Sequence, residues 1–307
     1  MSTLADSIST QSAAESGRIV RKSQGLSRRA LGRFAHDRVA MTALIVFLVI
    51  ATFSVGADLV SNWTGFTPYE NHLPEKLSRP GENGYLLGSD ANGRDILTRL
   101  AYGGRLSITV AILATIVELT IGLGIGLIAG YSGKWVDSIL MRLVDVLLSI
   151  PTLPLLILVA TLYSPGKYTL AFIFALVFWP ADSRLIRGEA LAIKSREYVD
   201  AARVVGVSPV GIVVRHVLPN VIPTMIVLAS LTIPSLILAE SALSFIGVGV
   251  QVPEPSWGNM LDEAQRFYRT DWTYVFFPGL MIFVTALSMY LVGDGLRDAF
   301  DPKQAHR

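Results

Sequence analysis

The sequence predicts an all-α polytopic membrane protein of six transmembrane helices. Two observations carry this. Of its 307 residues, 51% are hydrophobic and only 16% are charged, where a soluble domain carries about 25% charged residues. The deficit is also uneven: long uncharged runs alternate with short charged patches, as in a chain that crosses a bilayer repeatedly.

A hydrocarbon core about 30 Å thick needs about 20 apolar residues in a helix. Val39–Ala57 fits directly. Leu106–Gly133 is interrupted only by Glu118, and Val146–Gly166 is uncharged, with Arg142 and Asp145 at its leading edge. Tyr168–Ala181 is shorter but extends past Asp182, while Val217–Ala239 and Trp272–Gly293 are clean. Ser164-Pro165-Gly166-Lys167 reads as the turn of a tight hairpin between the third and fourth spans. The first run starts late for a cleaved signal peptide, after a Ser- and Thr-rich tail, and suits a retained first helix. Ser27–Arg38, with Leu31, Phe34 and Ala35 among arginines, reads as an interfacial helix.

Most of the 26 Lys and Arg residues fall in segments that share one side when the N-terminus is cytoplasmic, and basic loops face the cytoplasm. Both termini are then inside. The division is 1–35, a cytoplasmic tail with the interfacial helix; 36–298, the six-helix transmembrane domain; and 299–307, a cytoplasmic tail. Residues 58–105 form an external loop rich in turn chemistry (Pro68, Pro74, Pro80, Asn83-Gly84, Asn92-Gly93). Residues 241–271 are also external, and 188–216 form an internal loop.

That internal loop is the most informative stretch. Tyr198, Ala201, Ala202 and Val205 share a helical face, and the alanines make it shallow enough for another backbone to approach. Gly206 is placed to end the helix in the left-handed conformation. Ser208 reads as an N-cap and Pro209 as the first position of a second short helix. Leu218-Pro219 marks the start of the fifth span. An ordinary amphipathic loop on the headgroups is the plain alternative.

Asp200-Ala201-Ala202, Gly206 and Leu218-Pro219 resemble the EAA loop of binding-protein-dependent ABC importer permeases. Asp200 stands in place of the usual glutamate, and Arg215-His216-Val217-Leu218-Pro219-Asn220 resembles the form seen in the peptide branch. Leu87-Gly88-Ser89-Asp90 with Gly93-Arg94-Asp95 resembles a segment of dipeptide and oligopeptide permeases, Ser89 replacing threonine. Gly130-Tyr131-Ser132-Gly133 with Asp137, Met141-Arg142 and Asp145, and Leu243–Gln251 followed by Pro255-Ser256-Trp257-Gly258, resemble two further segments of the same C-type subunits.

The resemblance implies a type I ABC importer (MetI-like) fold in a bacterial cell membrane. It implies a homologous second permease, two ATP-binding subunits and an external solute-binding protein as partners. Residues Tyr198, Asp200, Ala201, Ala202, Gly206, Ser208, Pro209, Leu218 and Pro219 would be the ATPase-coupling loop. Relatives of peptide permeases move nickel, glutathione or oligosaccharides, so the cargo stays open.

Glu118 is an ionisable group inside a span and a candidate for the translocation path. The competing reading is a protonated or interhelix-bonded glutamate that tightens packing. Arg142 and Asp145, three apart, are expected to pair with each other. Gly122, Gly124 and Gly126 are expected to permit close helix packing, and Pro151, Pro154, Pro223 and Pro234 to break or kink spans.

No cysteine is present, which excludes disulfides and thiolate chemistry. No phosphate-binding G-x-x-x-x-G-K-[ST] loop, nucleophile elbow or zinc-protease motif occurs, and His36, His72, His216 and His306 are scattered. The sequence therefore points to no enzyme, cofactor, metal site or nucleic-acid partner. The rival transporter class is ion-gradient-driven, which a second intramembrane acid and inverted repeats would favour; neither is evident in the sequence.

Overall fold

The structure, a computed structural model, describes residues 26–163 and 166–300. The Ser-rich start of the chain, Ser164-Pro165 of the expected turn, and residues 301–307 with His306 lie outside the described residues. The helices are α1 (Leu26–His36), α2 (Arg38–Val55), α3 (Ala57–Thr64), α4 (Ile96–Tyr131), α5 (Lys134–Leu148), α6 (Thr152–Tyr163), α7 (Lys167–Lys194), α8 (Glu197–Val204), α9 (Pro209–Ile212), α10 (Leu218–Phe245), α11 (Trp257–Ala264) and α12 (Trp272–Phe300). Among the described residues there is no β-strand, only an isolated bridge between Ser89 and Asp95.

Five segments are long and apolar enough to cross a membrane: α2, α4, α7, α12 and the run Pro209–Phe245. A sixth exists only if α5 and α6, bent by 82° at their junction, count as one. The expected third span, Val146–Gly166, is therefore not a single helix. The chain breaks over Ser149–Pro151, where the proline ring lacks an amide donor and disfavours a helical residue before it. The remaining 12-residue α6 is about 18 Å long, too short to span alone.

Other boundaries shift outward. The second span gains the turns from Ile96 to Arg105, which the sequence assigned to the external loop, and reaches 36 residues. Asp95 starts it by accepting from the Thr98 amide at 2.7 Å. The fourth span runs through Pro180 and Asp182 to Lys194, so residues 188–194 belong to a helix rather than to the internal loop. Pro223 and Pro234 remain inside a continuous α10.

The bundle centres on α4 packed along α7. A Cβ added at Gly122 would meet the Asp182 Cβ at 3.0 Å, one at Gly126 the Ser183 carbonyl oxygen at 2.7 Å, and one at Gly130 the Ala190 Cβ at 2.9 Å. One glycine per turn thus sets the helix separation. Gly124 faces open space and plays no part.

The external segment is held by a buried polar network. The Asp90 carboxylate accepts from the Arg94 amide at 2.9 Å and from Arg94 Nε at 2.6 Å. Glu263 Oε2 accepts from Arg94 at 2.7 Å, Arg99 at 3.1 Å and the Tyr274 hydroxyl at 3.0 Å. Gly93 has a positive φ, and a Cβ there would lie 1.9 Å from the His72 carbonyl oxygen. This is the physical content of the Gly93-Arg94-Asp95 motif: the turn admits only glycine, and the arginine after it closes the ion pair. Nearby, burial pushes the Asp95 carboxyl above the usual carboxylate range, whereas Arg105 and Tyr102, bonded to Asp58, hold that exposed carboxyl below it.

Candidate functional site

The internal loop is built on two stems, the end of α7 and the start of α10. Lys194 donates to the Tyr131 and Gly130 carbonyl oxygens at 3.1 and 3.3 Å, capping the last turn of α4 and fixing where α7 ends. Arg187 binds Asp137 through two nitrogens, and Arg184 pairs with Asp145. Both bridges fasten α5 to α7. Asp145 thus pairs across helices with Arg184 and not with Arg142, because the neighbouring helix offers a better-placed guanidinium than the same helix does.

Gly206 follows α8 with φ +84°. Its amide donates to the Arg203 carbonyl, and the Val207 amide to the Ala202 carbonyl, both at 3.0 Å. That bond pair is the Schellman ending, which requires a left-handed residue at its centre. Ser208 then caps α9, its hydroxyl accepting from the Gly211 amide at 3.2 Å, with Pro209 in the first turn. A π-helical turn, Val213–Val217, leads into Leu218-Pro219 and α10.

The face expected from Tyr198, Ala201, Ala202 and Val205 divides. Ala202 is buried and, with Val199, packs into a cluster with Ile186, Ile193, Ile212, Val217 and Val221. It faces the protein's own interior, so it is not part of a shallow face open to a partner. Tyr198, Ala201 and Val205 are exposed, and Asp200, also exposed, pairs with Arg203 at 2.6 Å. The sequence reading missed Val199, the inward anchor, and also Val204 and Val210. Val204 is 88% exposed, Val205 80% and Val210 72%, forming an apolar knob around the Gly206 turn. The signal was present, since valines flank a turn in an otherwise polar loop.

Glu118 lies on α4, buried, with Oε2 unpartnered. Asp182 of α7 is also buried, with its Oδ2 likewise unpartnered, where α7 packs on this stretch of α4. A second acid, Asp182, therefore lies within a long apolar helix, where the sequence reading found no second intramembrane acid evident although it let the fourth span extend past this residue. A third, Glu240, lies in α10 just past the expected end of the fifth span. It is fully buried and accepts from the Ser107 and Ser244 hydroxyls, each at 2.7 Å. Among the described residues, no group of His, Cys, Asp and Glu is arranged to hold a metal ion.

Long apolar helices packed along a glycine stripe, with a helical loop exposed between two of them, define a polytopic helical membrane protein. Comparison with known proteins gives the family. Residues 122–306 match the family described as "Binding-protein-dependent transport system inner membrane component", and residues 25–80 match the "N-terminal TM domain of oligopeptide transport permease C". The chain is 38% identical to the oligopeptide transport system permease protein OppC of Escherichia coli (strain K12), over 91% of this chain and 92% of that one. It is 36% identical to the di/tripeptide transport system permease protein DppC of Pseudomonas aeruginosa, over 88% and 90%. It is 34% identical to the dipeptide transport system permease protein DppC of Bacillus subtilis, over 94% and 89%. The chain belongs to the family of binding-protein-dependent transport system inner membrane components, with the MetI-like all-α fold.

Proposed function

We propose that this chain is the C-type permease subunit of an ATP-driven peptide importer, coupled to its ATPases through residues 195–217. The single observation that carries the coupling role is the apolar knob of Val204, Val205 and Val210. It is held in one geometry by the Gly206 turn and the Ser208 cap. Exposed apolar side chains on a rigid loop mark a protein-docking surface, and both stems of this loop continue into the membrane. Tyr198, Asp200 and Ala201 border the knob. Ala202 acts differently, by anchoring the knob to the bundle. Leu218 and Pro219 join it to α10.

Di- or oligopeptides are the cargo, by the names of the relatives. The subunit works with a second permease, two ATP-binding subunits and a solute-binding protein, and it hydrolyses no ATP itself. Its termini and the loop are cytoplasmic, and the segment between α2 and α4 is external. The domain division is a tail through residue 35, a transmembrane unit from 36 to 298, and a second tail from 299. The Glu118–Asp182 pair is the one observation on the side of an ion-coupled carrier; family membership outweighs it, and Glu118 is assigned to the bundle interior beside the path.

Co-expression with the ATPase subunits tests this reading. The wild-type chain should co-purify with them and, with its binding protein, take up peptide. A Val204→Asp/Val205→Asp variant should insert normally yet lose the ATPase. Retention of the ATPase and of uptake by that variant would remove the coupling assignment.

A further inference from the structure

The break over Ser149–Pro151 joins two helices whose directions differ by 82°, and helix lengths say where it lies. α6 packs back on α7 from the hairpin turn between them. Its 12 residues carry it about 18 Å, whereas a hydrocarbon core is about 30 Å thick. A turn at the outer surface therefore puts the break inside the core, and a turn standing slightly above that surface brings it to the midplane. α5 then leaves the direction of the bundle. Asp137 and Asp145, eight residues apart on α5, pair with Arg187 and Arg184, only three apart on α7, so α5 crosses α7 steeply.

Irregular backbone at such a depth is stable only where protein covers it or water reaches it. Within this chain it is uncovered: Ser149, Ile150, Pro151 and Thr152 are all exposed. The last carbonyls of α5 have no following helical turn to supply amides, and lipid tails supply none. The neighbouring surface separates protein from water. Asp145 and Arg184 pair beside the break, yet each side chain is still 52% exposed, and Arg184 lies about 26 Å along α7 from Lys167. A half-open ion pair suits neither lipid tails nor a dry helix interface, because both would strip its hydration. Water suits it.

We propose that the elbow Ser149–Thr152 lines the water-filled translocation path on its inner half, with the Asp145–Arg184 pair beside it. The carbonyls that end α5 then face a peptide in transit and accept from its ammonium and amide N–H groups. Backbone carbonyls read no side chain, which suits cargo of varied sequence. The assignment rests on the peptide-import reading and adds the residues that meet the cargo.

The test uses the complete transporter in liposomes, with its second permease, ATPases and binding protein. This chain has no cysteine, so labelling is read on its own gel band. Ser149→Cys and Thr152→Cys should react with a charged, membrane-impermeant thiosulfonate supplied on both sides, at rest or during ATP turnover. Their rate should approach that of Ser195→Cys in the exposed loop, while Phe283→Cys on the exposed face of α12 should stay unlabelled. Labelled Ser149→Cys should lose peptide uptake. A photoreactive benzoylphenylalanine in place of Ile150 should capture radiolabelled trialanine during turnover. Labelling of neither elbow cysteine in either condition would mean that the second permease covers the break, and would overturn the proposal. So would undiminished uptake by fully labelled Ser149→Cys, or capture of phospholipid or the second permease at position 150 in place of peptide. Cysteine labelling needs no cargo. If the unmodified transporter takes up no peptide, the peptide-import reading is refuted, and the labels still decide whether the elbow lines water.

Discussion

The Val207 amide donates to the Ala202 carbonyl across Gly206 at 3.0 Å, and the φ of +84° at Gly206 makes that bond possible. A Cβ at this glycine would meet nothing within 4 Å, so the constraint is conformational and not spatial. Gly206→Val places a β-branched side chain where it is strongly disfavoured, at a cost of about 1–3 kcal/mol. The expected result is lost ATPase docking and uptake with normal membrane insertion, read by co-purification and transport assays. Gly206→Asn, which tolerates the left-handed region, should retain more activity than Gly206→Val.

Ala202 and Ala201 should respond differently to bulk. Ala202 is buried among Val199, Ile212 and Val217, so Ala202→Trp overpacks that cluster. It should loosen the loop itself, seen as increased proteolysis of residues 195–217 even without the ATPase. Ala201 is exposed, and Ala201→Trp should leave the isolated chain intact while weakening only its complex. Equal proteolysis of the two variants would contradict the division of this face.

The glycine stripe gives a paired prediction. Gly126→Ala drives a Cβ to 2.7 Å from the Ser183 carbonyl oxygen, whereas the same change at Gly124 meets nothing. Overpacking of this kind costs about 1–3 kcal/mol. Thermal unfolding in detergent should show a lowered midpoint for Gly126→Ala and an unchanged one for Gly124→Ala.

Glu263 binds Arg94, Arg99 and Tyr274 together, and both arginine side chains are buried. Removing the shared acid leaves two guanidiniums short of a partner, an imbalance that costs about 3–5 kcal/mol for a buried pair. Glu263→Gln should therefore lower the unfolding midpoint clearly. Glu82→Gln, on the exposed surface, should not.

Orientation is testable because the chain lacks cysteine. Ser78 is buried and would report packing as much as sidedness; Lys76 and Ser195 are exposed and serve better. Lys76→Cys should react with an impermeant thiol reagent on intact cells, and Ser195→Cys only after permeabilisation. The reverse pattern would invert the topology.

The sequence alone determined the helical membrane class, the starts of α2, α7, α10 and α12 to within a residue, and the Gly206–Ser208–Pro209 punctuation of the loop. Each depends on neighbours along the chain: apolar run length, a residue's own φ preference, a cap three residues from its amide. Tertiary structure decided the rest. Only the packing of α4 on α7 brings Glu118 to Asp182, separated by more than sixty positions in the sequence, and gives Asp145 to Arg184 in preference to Arg142. Only the cluster beneath the loop turns Ala202 inward while Val204 and Val205 face out. Helical periodicity identifies residues that share a face, but which face is covered depends on the helix that arrives from elsewhere in the chain.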